Sequence, residues 1–192
     1  YFHPSPSCPI LIQKPYLPID LSSRPPITFD YSVTNNSTFL SWPLSSPFSE
    51  SELYIKQLDD AISHPISSFK PIFAMMRHAA VYTNDADKEK ALNAIRTVLG
   101  QFENLFKNLG DVENGFTKQI PLNELEGRDQ YDPEMLSKNL LFGTPEEIID
   151  KLKLYQNLGV DEFIYYASMG LGHEEQKKSL NLFVEEVMPE FS

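Results

Sequence analysis

Residues 71–82 read PIFAMMRHAAVY, and this stretch decides the fold class. Only Arg77 and His78 interrupt a run that is otherwise apolar. A strand with one solvated face alternates polar and apolar residues, whereas a strand buried on both faces, as in parallel sheets, is apolar almost throughout. The stretch therefore predicts a central strand of a parallel sheet that other elements cover on both faces.

The segments on either side repeat a strand–helix order. Further strands are predicted at 17–22, 38–42 and 163–168, and helices at 27–33, from 49, 85–109, 145–158 and 173–187. Four such units imply parallel strands joined by right-handed crossovers, which form either an open doubly wound sheet or part of a barrel. The chain has no GxGxxG motif or P-loop, which disfavours a nucleotide-binding open sheet. Four units are half of a (β/α)8 TIM barrel, so an α/β fold of this partial kind is expected.

Two helix starts have clear local signals. Thr144, Pro145 and Glu147 provide an N-cap, a proline at the first helical position and a capping-box glutamate. Ser49 and Glu52 show the same three-residue spacing before an apolar pattern. Both segments are therefore predicted to begin helices at these caps.

Composition limits the function classes. The 192 residues are 41% hydrophobic and carry a formal charge of −11, and no apolar run is long enough to span a membrane. The negative charge argues against nucleic acid and anionic membranes as partners, and favours a small molecule or a protein. Cys8 is the single cysteine and the four histidines lack metal-ligand spacing, which favours a reducing cytoplasm and no metal site.

A single domain is expected over residues 1–192, with two irregular parts. Residues 1–15 are rich in proline and serine and are predicted to form an extended arm. Residues 110–143 show no sustained period, and connections of this length are typically lids or disordered segments. Because the chain begins at Tyr1, a fragment or a processed product is also expected.

Trp42, the only tryptophan, directly precedes Pro43 in the segment FLSWPLSSPF. Proline ends ladder pairing and biases the preceding residue to an extended conformation. The strand is therefore predicted to end at Trp42, where a loop begins.

Several segments resemble the carboxy-terminal half of the luciferase-like flavin-dependent monooxygenases. The resemblance rests on LSWPLSSPF, FAMMRHAAVY, LLFGTPEEIIDKLKLYQNLGVDEFIYYASMG and SLNLFVEEVMPEF, and covers residues 13–191. It implies strands five to eight of the (β/α)8 barrel, with residues 110–143 as the lid. The catalytic histidine of the family lies upstream, so the catalytic residues of this chain are unknown.

The resemblance also implies a cofactor and partners. Reduced FMN, supplied by a separate flavin reductase, would act with oxygen on a small organic substrate at the carboxy-terminal mouth of the barrel. The implied flavin-binding residues are Ser22, Ser23, Arg24 and Thr28 at the phosphate and Ser41 and Trp42 beside the ring. Pro25 stands where many relatives carry serine, which removes one hydroxyl donor and one N–H.

Each of these residues also has an ordinary structural interpretation. Trp42 is equally typical of a core aromatic at a barrel rim, and the residues from Ser22 to Thr28 are typical of a helix cap. Arg77 and His78 are candidate site residues, although a buried arginine paired with a carboxylate is an equal alternative.

Half a barrel leaves the function class open. One hypothesis is a monooxygenase whose amino-terminal half lies elsewhere, and the alternative is a non-catalytic flavin-binding or assembly module derived from the fold. In both cases the two open sheet edges predict a homo-oligomer or a complex with an amino-terminal half-barrel.

Overall fold

The computed structural model describes residues 19–22, 26–63, 69–107, 110–167 and 170–191. In this part of the chain the strands are β1 (Asp20–Ser22), β2 (Thr38–Ser41), β3 (Phe73–Val81), β4 (Val112–Glu113), β5 (Phe116–Thr117), β6 (Leu141–Gly143) and β7 (Glu162–Tyr166). The helices are α1 (Ile27–Thr34), α2 (Phe48–Ile62), α3 (Asp85–Phe106), α4 (Leu122–Leu125), α5 (Pro133–Asn139), α6 (Pro145–Leu158) and α7 (His173–Leu182). A π-helix (Phe183–Val187) and a 3-10 helix (Met188–Phe191) continue α7.

The main sheet is parallel, and β3 is its central strand. β1 pairs with β2, and β2 pairs with the amino-terminal part of β3. β7 pairs with β3 from Ala74 to His78. Since Ala74 and Met75 also pair with β2, β7 lies along the opposite edge of β3 from β2. The predicted parallel arrangement and the chain order of these four strands are therefore confirmed.

Residues 110–143 are more regular than the sequence pattern predicts. They contain the antiparallel hairpin β4–β5, two short helices and β6, which pairs in parallel with β3 from Ala79 to Val81. The prediction of an unpatterned segment is wrong on this point. A three-residue strand is too short to show a period, and its position depends on pairing with β3 rather than on local sequence.

Helices cover both faces of the sheet. On one face, Phe39, Phe73 and Met75 pack with residues from α1, α2, α6 and the carboxy-terminal helical segment. On the other face, Ala80 and Tyr82 pack with residues from α3 and α5. The continuous apolar character of β3 thus reflects burial on both sides, as predicted.

Several predicted boundaries are confirmed and others are corrected. At α6, Glu147 N–H donates to Thr144 Oγ1 over 3.4 Å and Thr144 N–H donates to Glu147 Oε2 over 2.8 Å, which confirms the capping box. At α2 the predicted Ser49 cap is wrong, because the helix begins at Phe48 after Pro47 and has no side-chain cap. The Phe48 ring packs 5.0 Å from the Tyr155 ring, a tertiary contact that accounts for the earlier start.

The strand ends differ slightly from the predicted ones. β2 ends at Ser41 rather than Trp42, and β3 ends at Val81 rather than Tyr82. The arm 1–15, the start of the first predicted strand at 17–18 and the predicted end at Ser168 lie outside the described residues. None of the described helices combines the length and apolar composition needed to cross a membrane.

Candidate functional site at the carboxyl ends of the strands

Three aromatic side chains meet where β2, β3 and β7 end. The Trp42 ring contacts the Tyr166 ring edge-on, with centroids 5.4 Å apart, and lies 6.2 Å from the His78 ring. The His78 and Tyr166 rings are 4.6 Å apart. We call these three residues the aromatic cluster. It lies at the end of a parallel sheet where barrel enzymes place their active sites.

The Ser41 side chain points to the sheet face opposite to the one that carries Trp42. It pairs in register with Met75, whose side chain belongs to the helix-covered core, whereas Trp42 contacts the opposite face. Side chains alternate along a strand, so consecutive residues point to opposite faces. Ser41 is 1% exposed. The structure therefore does not bring the Ser41 hydroxyl together with the Trp42 indole.

His78 is the polar member of the aromatic cluster. Its side chain is fully buried, and neither ring nitrogen has a hydrogen-bond partner among the described residues. Burial and, to a lesser extent, the nearby positive charge of Arg77 lower the pKa of His78 to about 4. The imidazole is therefore neutral at physiological pH, with one donor and one acceptor nitrogen.

Arg77 points away from the aromatic cluster and fixes the loop after β2. Its guanidinium donates to Ser46 O over 2.7 Å, to Leu44 O over 3.3 Å and to Ser51 Oγ over 3.4 Å, and it lies 5.6 Å from the Tyr155 ring centroid. Burial lowers its pKa, a shift that nearby Tyr155 opposes. The carboxylate partner considered for Arg77 is wrong, because no described carboxylate forms an ion pair with it. Arg77 instead positions the loop that follows Trp42.

A cavity of about 470 Å³ lies beside Trp42, between the loop after β2 and helix α3. Its aromatic lining comes from Trp42, Phe102, Phe106 and Tyr131. Phe102 of α3 contacts Trp42 edge-on, with centroids 6.5 Å apart, and thus covers the indole. A cavity of this size and lining is typical of a site for a planar organic molecule.

Glu103 connects α3 to the segment that closes this cavity. Its carboxylate accepts hydrogen bonds from Tyr131 over 2.5 Å, from Gln130 over 2.9 Å and from Arg128. The hydrogen bond from Tyr131, followed by the contacts with Arg128 and Lys107, lowers the pKa of Glu103 to about 2. Sequence reasoning missed this network because 28 residues separate Glu103 from Tyr131.

The predicted phosphate-binding residues are only partly described. Ser22 is exposed at the end of β1, and Thr28 is half-buried in the first turn of α1. The N-cap residue of α1 is Pro26, which forms no side-chain hydrogen bond. Ser23 and Arg24 lie outside the described residues.

Tyr166 was not singled out by its sequence. The strand pairing nevertheless identifies Tyr166, because the register of β7 with β3 places Tyr166 opposite His78. Once the strands are known to be parallel and in register, alternation places both side chains on the Trp42 side of the sheet. The pairing register, rather than any motif, identifies this residue.

Comparisons with known proteins agree with this architecture. The chain is 29% identical over 186 residues to the oxygenase component of flavin-dependent trigonelline monooxygenase from Acinetobacter baylyi, and the match covers 97% of this chain and 52% of that protein. The chain thus spans about half the length of the curated relative it matches. No family model matches the chain.

Two solved structures share the fold. The monooxygenase RslO1 from Streptomyces bottropensis superposes with a TM-score of 0.60 at 18% identity, covering 94% of this chain and 50% of the other. An F420-dependent secondary alcohol dehydrogenase superposes with a TM-score of 0.59 at 14% identity, covering 93% of this chain and 50% of the other. Together with the parallel sheet, these matches confirm a partial (β/α)8 barrel. The chain resembles the carboxy-terminal half of the barrel of the luciferase-like flavin-dependent monooxygenases.

Proposed function

We propose that the chain forms the carboxy-terminal half of a flavin-dependent monooxygenase that uses reduced FMN and oxygen on a small organic substrate. The observation that carries this proposal is the aromatic cavity beside Trp42, at the end of the sheet where the strands finish. The relationship to a flavin-dependent oxygenase component supports it. Because that relative is named as one component, a flavin reductase is the proposed source of reduced flavin.

The residues of the site suit a flavin ring in different ways. The Trp42 indole supplies an apolar wall of the cavity, and the Tyr166 and His78 rings pack against this indole. Ser22, Ser23, Arg24 and Thr28 would hold the phosphate, because hydroxyls and a guanidinium are effective phosphate donors.

Reduced FMN, when bound, supplies the two electrons with which one atom of O₂ enters the substrate and the other leaves as water. The chain contributes by excluding solvent from the ring. Phe102 covers Trp42, and the contacts of Glu103 with Arg128 and Tyr131 hold α3 against residues 128–131. A site of this kind requires water exclusion to prevent side reactions.

FMN binding tests the proposal directly. Flavin fluorescence anisotropy should show binding to the purified protein, alone or with an amino-terminal half-barrel. Trp42→Ala should weaken binding by about tenfold or more, since an aromatic contact and its buried area are lost. Phe116→Ala is the matched control, because Phe116 is an aromatic residue that is 78% exposed.

A parallel titration with F420 compares the affinity of the protein for F420 with its affinity for FMN. The comparison is needed because one similar structure is an F420-dependent enzyme, whereas the curated relative is flavin-dependent. Arg24→Ala should weaken FMN binding by about 10-fold to 150-fold if Arg24 meets the phosphate, since a charge-assisted hydrogen bond contributes about 1.5–3 kcal/mol. Unchanged affinity in both Trp42→Ala and Arg24→Ala would reject the proposed site.

The second candidate is a non-catalytic flavin-binding or assembly module. The two candidates differ in turnover, so oxygen consumption in the presence of a flavin reductase, substrate and an amino-terminal half distinguishes them. In either case a cytoplasmic location and a homo-oligomer or hetero-complex are proposed.

A further inference from the structure

Arg96 on α3 lines a second cavity, of about 590 Å³, between α3 and residues 125–135. Its side chain is buried, with only 9% of its surface exposed. The cavity is separate from the one beside Trp42, and Tyr131 contributes to the lining of both. A buried arginine at a cavity wall raises the question of what balances its charge.

No carboxylate of the described residues forms an ion pair with Arg96. Among the described residues the ion pairs are Lys90–Glu175, Lys107–Glu103, Arg128–Glu103, Lys153–Glu190 and Lys178–Asp87. The residues outside the described ranges include no aspartate or glutamate, so every acidic side chain is accounted for. In addition, Arg96 Nε has no hydrogen-bond partner in the described part of the chain.

Arg77 differs from Arg96 in having contacts that compensate its buried charge. Arg77 is also buried, but two backbone carbonyls, a hydroxyl and an aromatic ring surround its guanidinium. Arg96 has none of these contacts among the described residues. An arginine that lines a cavity and forms no ion pair among the described residues is available to a bound anion, which it would hold by a charge-assisted hydrogen bond.

The other residues that line the cavity indicate which class of anion it would bind. Leu125, Pro133 and Met135 contribute apolar surface, which suits an organic group rather than a bare ion. Glu126, Asp129 and Asp132 also line the cavity and are more exposed than Arg96. These carboxylates repel a dianion more strongly than a monoanion, since like charges at close range are unfavourable.

We propose that this cavity binds a small organic molecule through a single carboxylate group, with Arg96 as its counter-ion. Arg128 also lines the cavity, but its guanidinium is already engaged by Glu103. The proposal does not depend on flavin binding, because it rests on Arg96 and its own cavity. Tyr131 is the shared wall through which this site contacts the cavity beside Trp42.

Calorimetric titration of the purified protein with benzoate tests the proposal. Benzoate should bind, whereas benzyl alcohol, which has the same ring without the charge, and inorganic phosphate should bind at least about tenfold more weakly. Arg96→Met should weaken benzoate binding by about tenfold or more, because a charge-assisted contact is lost. Arg96→Lys should retain part of the affinity. Lys138→Met, at an exposed lysine of α5 that does not line the cavity, should change it less than about threefold.

A stability measurement separates this site from a structural role of Arg96. If the charge is uncompensated, Arg96→Met should melt at the same temperature as the wild type or higher, because the variant buries no charge. A lower melting temperature in Arg96→Met, together with no benzoate binding to the wild type at millimolar concentration, would overturn the proposal. Phosphate binding that is tighter than benzoate binding would overturn the carboxylate assignment.

Discussion

The imidazole of His78 lies with its ring centroid 4.6 Å from that of Tyr166, and the two residues are paired on neighbouring parallel strands. This contact buries an ionisable ring with no hydrogen-bond partner among the described residues. The arrangement favours the neutral imidazole in the folded state, whereas the unfolded chain leaves the ring free to take up a proton.

Acid should therefore destabilise the protein through His78. Its pKa is about 4 in the folded state against 6.5 for an unperturbed histidine, so between these values the unfolded chain binds more protons. Stability is full above pH 6.5 and falls as the pH drops toward 4, by up to about 3 kcal/mol from this group. Urea unfolding at pH 7 and pH 4.5 measures the effect.

His78→Phe keeps an aromatic ring and removes the titration, so its stability should depend less on pH in this window. His173→Gln is the control, since His173 is exposed at the start of α7. An equal loss of stability in wild type and His78→Phe would show that other groups cause the acid response.

A half-buried lysine, Lys151, connects α6 to the end of the 110–143 segment. Lys151 Nζ donates to the carbonyl oxygens of Ser137, Leu140 and Phe142 over 2.5, 3.0 and 2.8 Å. Lys151→Met should lower the free energy of unfolding by about 1–3 kcal/mol, because buried carbonyls lose their donor. Lys153→Met, which changes an exposed lysine of the same helix, should change it by less than about 0.5 kcal/mol.

The contribution of Lys151 to the free energy of unfolding should also depend on pH. Burial lowers its pKa from 10.5 to about 8, while Glu147 acts in the opposite direction. From pH 8 to 10.5 the unfolded chain retains the proton that the folded state loses, so stability rises with pH in this window. The difference between wild type and Lys151→Met in chemical denaturation should grow accordingly, and a constant difference would contradict the shift.

Ser179 connects the last α-helix to two strands of the sheet. Its hydroxyl accepts from Val81 N–H over 2.7 Å and lies 2.7 Å from the Tyr165 hydroxyl. Ser179→Ala should cost about 1–3 kcal/mol of unfolding free energy, because buried polar groups lose their partner. Ser63→Ala, at an exposed hydroxyl that donates to Asp60 O, should have little effect. Similar losses in the two variants would contradict the inference.

Local sequence predicted the elements whose signals are local. The apolar run around Arg77 and His78 predicted β3, and Thr144 with Glu147 predicted the start of α6. The candidate site was less accessible because its contacts join distant residues. Glu103 meets Tyr131 only after the chain has folded back, and Tyr166 meets His78 only through the strand register. The start of α2 was wrong for the same reason, since a tertiary contact of Phe48 replaced the local cap.

The open edges of the sheet predict association. Among the described residues, β1 and β7 each pair on one edge, with β2 and β3 respectively. Ile164 of β7 is 37% exposed, and the register with β3 places it on the sheet face that carries His78. Unpaired edges beside apolar side chains favour pairing with another chain.

Two copies related by a twofold axis could close an eight-stranded barrel. The β7 edge of one copy would meet the β1 edge of the other, and parallel strands would meet with the correct polarity. An amino-terminal half-barrel would satisfy the same edges. Light scattering across a dilution series should therefore report a dimer, a hetero-complex or aggregation. Ile164→Lys should weaken the association, because it places a charge on the covered face, whereas Leu154→Lys changes an exposed residue of α6 and should not. A monomer that persists at high concentration would mean that the edges are covered within the chain itself.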